Sequence, residues 1–285
     1  MSLDTTSMLF LFHLITYWAS CFVLMIGLGH LPLIVPTRRK TPSKSKVLNA
    51  AAISLLNQAL SYPLILIVLP YCLNTDSTAD NGNTWWWRST ELVIALLIYT
   101  ISADHWFYWT HRVLHYPPLF RRIHYIHHQW VYPVAVSALY AHPVEHLLCS
   151  VGAILIGPLL YPASEAVIIL WTAIVTVNAV LAHCGIDIPY FNNEKHDLHH
   201  RYLSCNYGTV GTSDALYGTT WSSRQLVRAQ ALLTSACAPN PRSIINNAAM
   251  QTVEHAFDIA VDAVVAVPVT ARRLHPLRLP LLHSS

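Results

Sequence analysis

The chain has 285 residues, of which 54% are hydrophobic and only 11% are charged, and its formal net charge is +3. Soluble domains carry roughly 25% charged residues, so this composition argues against a soluble protein and indicates a membrane protein. The modest net charge also argues against nucleic-acid binding, because the basic residues form no extended stripe. The six cysteines are scattered without a CxxC pair, which makes a disulfide scaffold or a zinc ribbon a poor explanation.

Five apolar runs approach the length of about 20 residues that crosses a bilayer. The last two are short and are separated only by Tyr161-Pro162-Ala163, which predicts a tight hairpin. The sequence therefore predicts an all-α fold, a polytopic membrane helical bundle of about four to five spans. The predicted spans are residues 8–35, 47–73, 91–109, 147–161 and 164–182.

The basic residues predict the orientation of these spans, because loops rich in lysine and arginine stay on the cytoplasmic side. If all five runs cross, one face receives segments 36–46 and 110–146 and the chain after residue 183. Sixteen of the 17 basic residues lie on that face, and Arg88 lies on the other. The sequence therefore predicts a cytosolic location for residues 110–146 and for the chain after residue 183, which hold the histidine clusters.

Eight of the 17 histidines fall in three short clusters. Residues three or four apart share one face of a helix, so each cluster offers two or three imidazoles in one direction. Neutral imidazole binds iron, zinc and copper, and eight donors exceed what one tetrahedral ion uses. The clusters therefore predict a site for two metal ions. They are His111-Arg-Val-Leu-His115, His124-Tyr-Ile-His127-His128 and His196-Asp-Leu-His199-His200.

Two more histidines, His142 and His183, lie at predicted membrane edges on the same face as the clusters. With them the expected metal ligands number ten, which gives each ion about five nitrogen donors and leaves open positions for oxygen. His146 fits an outer position around the metals and a bystander position equally well.

Three acidic residues are candidates for orienting the ligand imidazoles through their second ring nitrogen. Asp104 lies seven residues before His111, only about 20° away around the helix, so both belong to one stripe. Asp197 and Asp214 are the other two candidates.

These motifs resemble those of the fatty acid hydroxylase/sterol desaturase superfamily of membrane di-iron oxidases. The resemblance covers residues 104–219 and includes segments that connect the histidine clusters. The matching segments are Asp104-x3-Tyr108-Trp-Thr-His111-Arg-x2-His115, His124-x2-His127-His128, Tyr140-Ala-His142-Pro-x-Glu145, Ala182-His183-Cys-Gly, His196-Asp-Leu-His199-His200, and Asn206-Tyr207-Gly208 through Asp214 to Gly218-Thr219.

The resemblance implies a multi-pass protein of the endoplasmic reticulum membrane with a cytosolic, histidine-rich cap. It implies an oxidoreductase, a monooxygenase that uses two iron ions and O₂. Electrons would come from cytochrome b5 or an NAD(P)H reductase, since the chain has no GxGxxG dinucleotide motif. The reaction implied is hydroxylation or oxidation of an unactivated C–H bond of a lipid.

Within the superfamily, the segments around His142 and His183 are most similar to C-4 methylsterol oxidases of sterol biosynthesis. Val131-Tyr-Pro133 is similar to sphinganine C4-hydroxylases, and Asn206-Tyr207-Gly208 to cholesterol 25-hydroxylase-like members. The expected substrate is therefore a sterol-type lipid, with a sphingoid-base C4-hydroxylase and a sterol side-chain hydroxylase as alternatives.

The predicted organisation is an N-terminal membrane anchor (1–90), a histidine-box catalytic domain (91–220) and a divergent C-terminal tail (221–285). Two alternatives from other classes remain. His142-Pro-Val-Glu145-His146 matches the inverted HxxEH motif of zinc metalloproteases, in which two histidines bind zinc and the glutamate acts as the base. A membrane protein that binds metal without catalysis would also account for the clusters.

Overall fold

The computed structural model describes residues 5–27, 35–36, 42–74, 85–187 and 193–221. These residues are helical or irregular apart from one antiparallel pair of two-residue strands, Val35–Pro36 and Ile186–Asp187. The predicted all-α class is confirmed. The division into an anchor, a catalytic domain and a tail stays a prediction, and nearly all of the predicted tail lies outside the described residues.

Within the described residues, five helical stretches are long and apolar enough to cross a bilayer, which confirms the predicted membrane bundle. These stretches are Thr5–Met25, Lys44–Tyr71, Ser89–Leu114, Pro143–Leu160 and Glu165–Ala182. The helices are α1 (Thr5–Phe22), α2 (Lys44–Val68), α3 (Trp85–Leu114), α4 (Tyr125–His128), α5 (Gly152–Leu160), α6 (Glu165–Ala182), α7 (Asn193–Tyr202) and α8 (Thr212–Tyr217).

Two of the predicted spans have other bounds in the structure. The first is described as Thr5–Met25, and residues 28–34 of the predicted run 8–35 lie outside the described residues. The third is longer than 91–109, because α3 begins at Trp85 and continues through the first histidine cluster to Leu114. The predicted domain boundary after residue 90 therefore falls inside a continuous helix.

The hairpin between α5 and α6 lies at the end of the bundle away from the histidines. Ala163 in this hairpin accepts a hydrogen bond from Asn74 N (2.9 Å) and donates one to Cys72 O (3.2 Å). Closer packing occurs at Gly157 of α5, where a Cβ would lie 2.6 Å from the Tyr99 Cα atom of α3. A small residue is needed there so that the two helix backbones can approach each other.

A chain of hydrogen bonds ties α1 to α2 and α6 inside the bundle. Trp18 Nε1 donates to Gln58 Oε1 (3.0 Å), and the Gln58 amide lies 3.3 Å from His13 Nε2. His13 Nδ1 in turn lies 2.9 Å from Thr176 Oγ1, and that hydroxyl donates to Thr172 O (2.6 Å). Every side chain of this network has a hydrogen-bond partner on another helix or in its own backbone. The network therefore holds the three helices together, as interhelical hydrogen bonds do in membrane proteins.

The segment 134–141 crosses the histidine end of the bundle and is held there by α1 and α2. Val136 O accepts hydrogen bonds from Tyr17 (3.0 Å) and Ser54 (3.1 Å). Asn57 Nδ2 lies 2.9 Å from the carbonyl oxygens of both Leu139 and Ala141. The anchor helices thereby fix the backbone that lies beside the histidine clusters.

Candidate metal centre

Nine histidines converge in two groups at one end of the bundle. Within each group the ligand nitrogens all lie within 4.8 Å of one another, and eight of the nine residues are buried. No cysteine or carboxylate belongs to either group. Group one is His111, His115, His124, His128 and His199, and group two is His127, His183, His196 and His200.

The two HxxHH clusters divide their histidines between the groups in opposite ways. His124 and His128, four residues apart, join group one, whereas the intervening His127 joins group two. In the third cluster His196 and His200 join group two, and His199 joins group one. Residue i+4 lies about 40° to one side of residue i, whereas residue i+3 lies about 60° to the other side, so one short helix can serve two neighbouring centres.

The imidazoles of group one meet through their Nε2 atoms. His124 Nε2 lies 3.0 Å from His111 Nε2, 3.0 Å from His115 Nε2 and 2.9 Å from His128 Nε2. His115 Nε2 also lies 3.1 Å from His199 Nε2. An imidazole nitrogen can make one hydrogen bond, so three such neighbours around His124 are not explained by hydrogen bonding.

Group two repeats this arrangement with four imidazoles. His183 Nε2 lies 3.2 Å from His127 Nε2 and 2.9 Å from His196 Nε2. His196 Nε2 lies 3.1 Å from His200 Nε2. His183, which follows the last membrane helix, thereby joins residues from the second and third clusters.

Backbone carbonyl groups fix the protonation of four of these rings. A carbonyl oxygen can only accept, so the Nδ1 atom facing it carries the proton and Nε2 keeps its lone pair. The four donors and their acceptors are His111 to Tyr207 O (2.8 Å), His127 to Tyr140 O (3.1 Å), His183 to Ala179 O (2.8 Å) and His199 to Cys205 O (2.7 Å).

The pair His127 and His183 provides the sharpest test of whether a cation fits this site. Both Nδ1 atoms donate outward, so two lone pairs face each other across 3.2 Å. Such an arrangement is repulsive unless a positive charge lies between the nitrogens, and a metal ion supplies that charge. The donor set therefore fits metal binding.

The number of donors also distinguishes between types of ion. Group one holds five imidazoles whose ligand nitrogens lie within 4.8 Å of one another. Zinc is almost always bound by four ligands in structural sites. Group one therefore favours an ion with more than four coordination positions over tetrahedral zinc.

Burial keeps these imidazoles neutral. It lowers the pKa of His127 from 6.5 to about 4, and it lowers that of His183 to about 3, with a smaller contribution from His127 nearby. The other ligands beyond the membrane spans behave alike, because neighbouring imidazoles add to the effect of burial. Their pKa values lie well below 6.5 at His115, His124, His128, His196, His199 and His200.

The metal-free protein should lose stability as the pH falls below about 6.5. The unfolded histidines bind protons there, whereas folded His127 and His183 stay neutral to about pH 4 and 3. The free energy of unfolding of the metal-free protein is therefore highest above pH 6.5 and decreases from there toward pH 4. In the metal-loaded protein, protons compete for the same nitrogens, so lowering the pH also displaces the metal. Unfolding temperatures in nanodiscs across this range would measure the effect, and a temperature unchanged from about pH 7 to about pH 5 would contradict it.

Glu145 is a buried acidic residue beside group one, and the sequence suggested a role for it only as a protease base. Its Oε1 atom lies 2.9 Å from His124 Nδ1, a close contact without the alignment of a hydrogen bond. A carboxylate behind a ligand imidazole fixes the orientation of the ring and raises its basicity. The available signal was an acidic residue within an apolar segment near the histidines, since such residues are usually functional.

Replacing Glu145 with glutamine should weaken metal binding at group one by about 10- to 100-fold, because the amide removes the carboxyl group behind His124. Group two, which Glu145 does not contact, should keep its metal. Equilibrium dialysis of the variant against increasing metal concentrations would measure both affinities. Two unchanged affinities would show that Glu145 does not act through His124.

Asp104 does not contact a ligand imidazole, which corrects the orienting role predicted for it. Its two oxygens accept four backbone N–H groups and two hydroxyl groups from the segment 209–213. His111 is instead oriented by Tyr207 O. Asp104 is nevertheless completely buried, and it acts on the site by holding the loop that carries this carbonyl group.

Asp214 supports the same loop from the other side. It accepts hydrogen bonds from Tyr207 N (2.8 Å) and Gly208 N (2.7 Å). Gly208 is required between the two carboxylates, because a Cβ there would lie 2.7 Å from Asp104 Oδ1 and 2.9 Å from Asp214 Oδ2. The third candidate, Asp197, forms an ion pair with Arg201 (2.8 Å).

The predicted ligand His142 lies outside both groups. It precedes the helical turn Pro143–Glu145 in an extended conformation, and its Nδ1 atom accepts a hydrogen bond from Val144 N (3.2 Å). His146 Nε2 lies 2.8 Å from Ser61 Oγ, also outside the groups. The structure therefore does not bring His142, Glu145 and His146 together as a zinc site, and the metalloprotease alternative has no geometric support.

Comparison with known proteins agrees with this geometry. Residues 96–219 match the protein-family model described as Fatty acid hydroxylase. This segment is therefore similar to fatty acid hydroxylase domains. The resemblance to the superfamily is confirmed, and all nine grouped histidines lie within the matched residues.

The relatives of this domain carry several different names. Fatty acid hydroxylase domain-containing protein 2 of Homo sapiens is 32% identical over 58% of this chain and 49% of its own length. Methylsterol monooxygenase 2-2 of Arabidopsis thaliana is 32% identical over 48% and 56%. Very-long-chain aldehyde decarbonylase GL1-10 of Oryza sativa subsp. japonica is 34% identical over 45% and 47%. The chain thus spans about half the length of these curated relatives, and no solved structure matches it.

Proposed function

We propose that the chain is a membrane-embedded oxidoreductase that uses two iron ions and O₂ to oxidise an unactivated C–H bond of a lipid. The observation that carries this proposal is the pair of facing lone pairs on His127 and His183 within a nine-imidazole site. Acid–base side chains do not break such C–H bonds, so a redox-active metal is needed. The relatives named as hydroxylase and monooxygenase support the same reaction class.

The nine grouped histidines would hold the two ions, which would supply the activation of O₂ when bound. The protein's own part is to keep the rings neutral by burial and to fix their direction through backbone carbonyl groups. The enclosed site would also keep water away from the reacting carbon. His142 is not included among the proposed ligands.

The substrate would occupy a cavity of about 340 Å³ that begins at the histidines and continues between the membrane helices. This volume lies within the range of roughly 300–1,000 Å³ for ligand pockets. His111, His127 and His183 line one part of it, and apolar side chains such as Trp171 and Ile154 line another. Such a cavity suits a lipid, and we propose a 4-methylsterol as its first candidate. A sphingoid base and a sterol side chain are the alternatives.

We further propose that the protein resides in the endoplasmic reticulum membrane with the histidine end facing the cytosol. The support is the excess of basic residues expected on that face. Electrons would come from cytochrome b5 or from an NAD(P)H-dependent reductase, a partner protein in either case.

The test compares iron-loaded and zinc-loaded protein, both reconstituted as the full chain in nanodiscs with a chemical reductant. A 4-methylsterol, sphinganine and cholesterol are supplied separately, and O₂ consumption and oxidised lipid are measured by electrode and mass spectrometry. We expect an oxidised 4-methylsterol with iron and none with zinc. Iron-loaded protein that oxidises none of the three lipids would favour the non-catalytic metal-binding alternative.

A further inference from the structure

The cavity, called the slot below, is lined from the histidines along the helices that are long enough to span a membrane. Along α3 its wall extends from His111 to Thr100, and along α6 it extends from Ala182 to Trp171. Each stretch covers twelve residues, and its ends lie about 16 Å apart at a rise of 1.5 Å per residue. A lipid in this slot would lie along the helices with its reacting carbon at the histidine end.

Two polar side chains on the wall of this slot lack hydrogen-bond partners. Asn178 of α6 is half-buried and lines the slot, and Ser150 lines it from the helical turn before α5. Neither side chain forms a hydrogen bond with any part of the chain that the structure describes. Thr176 also lines the slot, but its hydroxyl is bonded to His13 and Thr172.

An unpaired amide is unfavourable inside a membrane, where no solvent replaces the missing hydrogen bonds. Polar side chains in such positions usually face a cavity and serve function. Asn178 lies five residues before His183, which is about 7 Å along the helix. A hydroxyl group bound by Asn178 would therefore lie close to the carbon that faces the metal ligands.

We propose that Asn178, together with Ser150, binds a hydroxyl group of the lipid substrate that lies within a few bonds of the oxidised carbon. This inference rests on the proposed function and narrows its substrate. A 4-methylsterol has its 3-hydroxyl beside C-4, and a sphingoid base has its 3-hydroxyl beside C-4 of the chain. A sterol oxidised on its side chain carries its hydroxyl at the opposite end of the molecule. The site therefore selects the first two lipids over the third.

The test measures binding rather than turnover, with the full chain in nanodiscs. Radiolabelled 4-methylsterol and sphinganine are each compared with the analogue that lacks the 3-oxygen. One hydrogen bond of ordinary strength corresponds to a preference of about tenfold for the hydroxylated lipid. We expect this preference for at least one of the two lipids in the unaltered protein.

Asn178→Leu and Asn178→Ala should reduce the preference to less than about twofold, and Ser150→Ala should reduce it by about threefold. The matched control is Val175→Leu, which alters the same wall without removing a hydrogen-bonding group and should keep the preference. The proposal is overturned if the unaltered protein shows no preference with either lipid, or if both Asn178 variants retain it. Binding of neither lipid also overturns it.

The result separates this proposal from the proposed reaction. An Asn178-dependent preference without oxidation of any lipid would refute the oxygenase and leave the hydroxyl site standing. Oxidation of the lipid without a preference would refute the hydroxyl site alone.

Discussion

Alanine at His127 or at His199 should abolish lipid oxidation and remove about one of the two bound iron ions. His127 belongs to group two and His199 to group one, so each variant opens a different site. Each should bind about one iron ion per chain in place of two, because three or four imidazoles remain in the altered group and hold metal weakly. Turnover should fall to background in both, since O₂ activation would need the two ions together. Elemental analysis and product formation measure the two losses.

The matched controls are His105→Ala and His142→Ala, because neither histidine belongs to a group. Both should retain two iron ions per chain. Iron lost from His142→Ala to the same extent as from His127→Ala would show that His142 is a ligand after all. Turnover by His127→Ala at a rate close to that of the unaltered protein would contradict the paired site.

Asp104→Ala should destabilise the protein by about 3–5 kcal/mol, because it removes a buried charge that accepts six hydrogen bonds. Four backbone N–H groups of the segment 209–213 would lose their acceptor, and Tyr207 O would no longer be held against His111. Group one should therefore lose metal affinity although no ligand is changed. Chemical unfolding in micelles and metal analysis test the two effects.

Asp104→Asn is the informative companion variant, because the amide keeps the shape and one acceptor oxygen but lacks the charge. Its loss of stability should lie between the unaltered protein and Asp104→Ala. If Asp104→Ala unfolds at the denaturant concentration of the unaltered protein, the loop 209–213 does not depend on Asp104.

The three histidine clusters could be recognised from the sequence because each depends on local helical spacing. His124 and His128 lie on one face whatever the rest of the chain does. The membrane spans could also be predicted from the sequence, since an apolar run of sufficient length is enough to identify a span. The division of the histidines between two groups could not be predicted from the sequence. It depends on how α6 places His183 beside His127, which lies 56 residues earlier in the chain.

The misassigned acidic residues show the same limit. Asp104 lies on the stripe of His111 as predicted, yet its partners are more than 100 residues later in the chain. A buried carboxylate binds whichever donors the tertiary fold supplies, and here a turn containing Gly208 supplies backbone N–H groups. For Glu145 the sequence did not indicate contact with a ligand, and its role follows only from the 2.9 Å contact with His124.

The most direct measurement is the metal content and ligand shell of the full chain loaded with ferrous iron without oxygen. Elemental analysis should give two iron ions per chain, and X-ray absorption should show a shell dominated by imidazole nitrogen without sulfur. A content of one ion or none, or a shell with thiolate sulfur, would contradict a centre built from the two histidine groups.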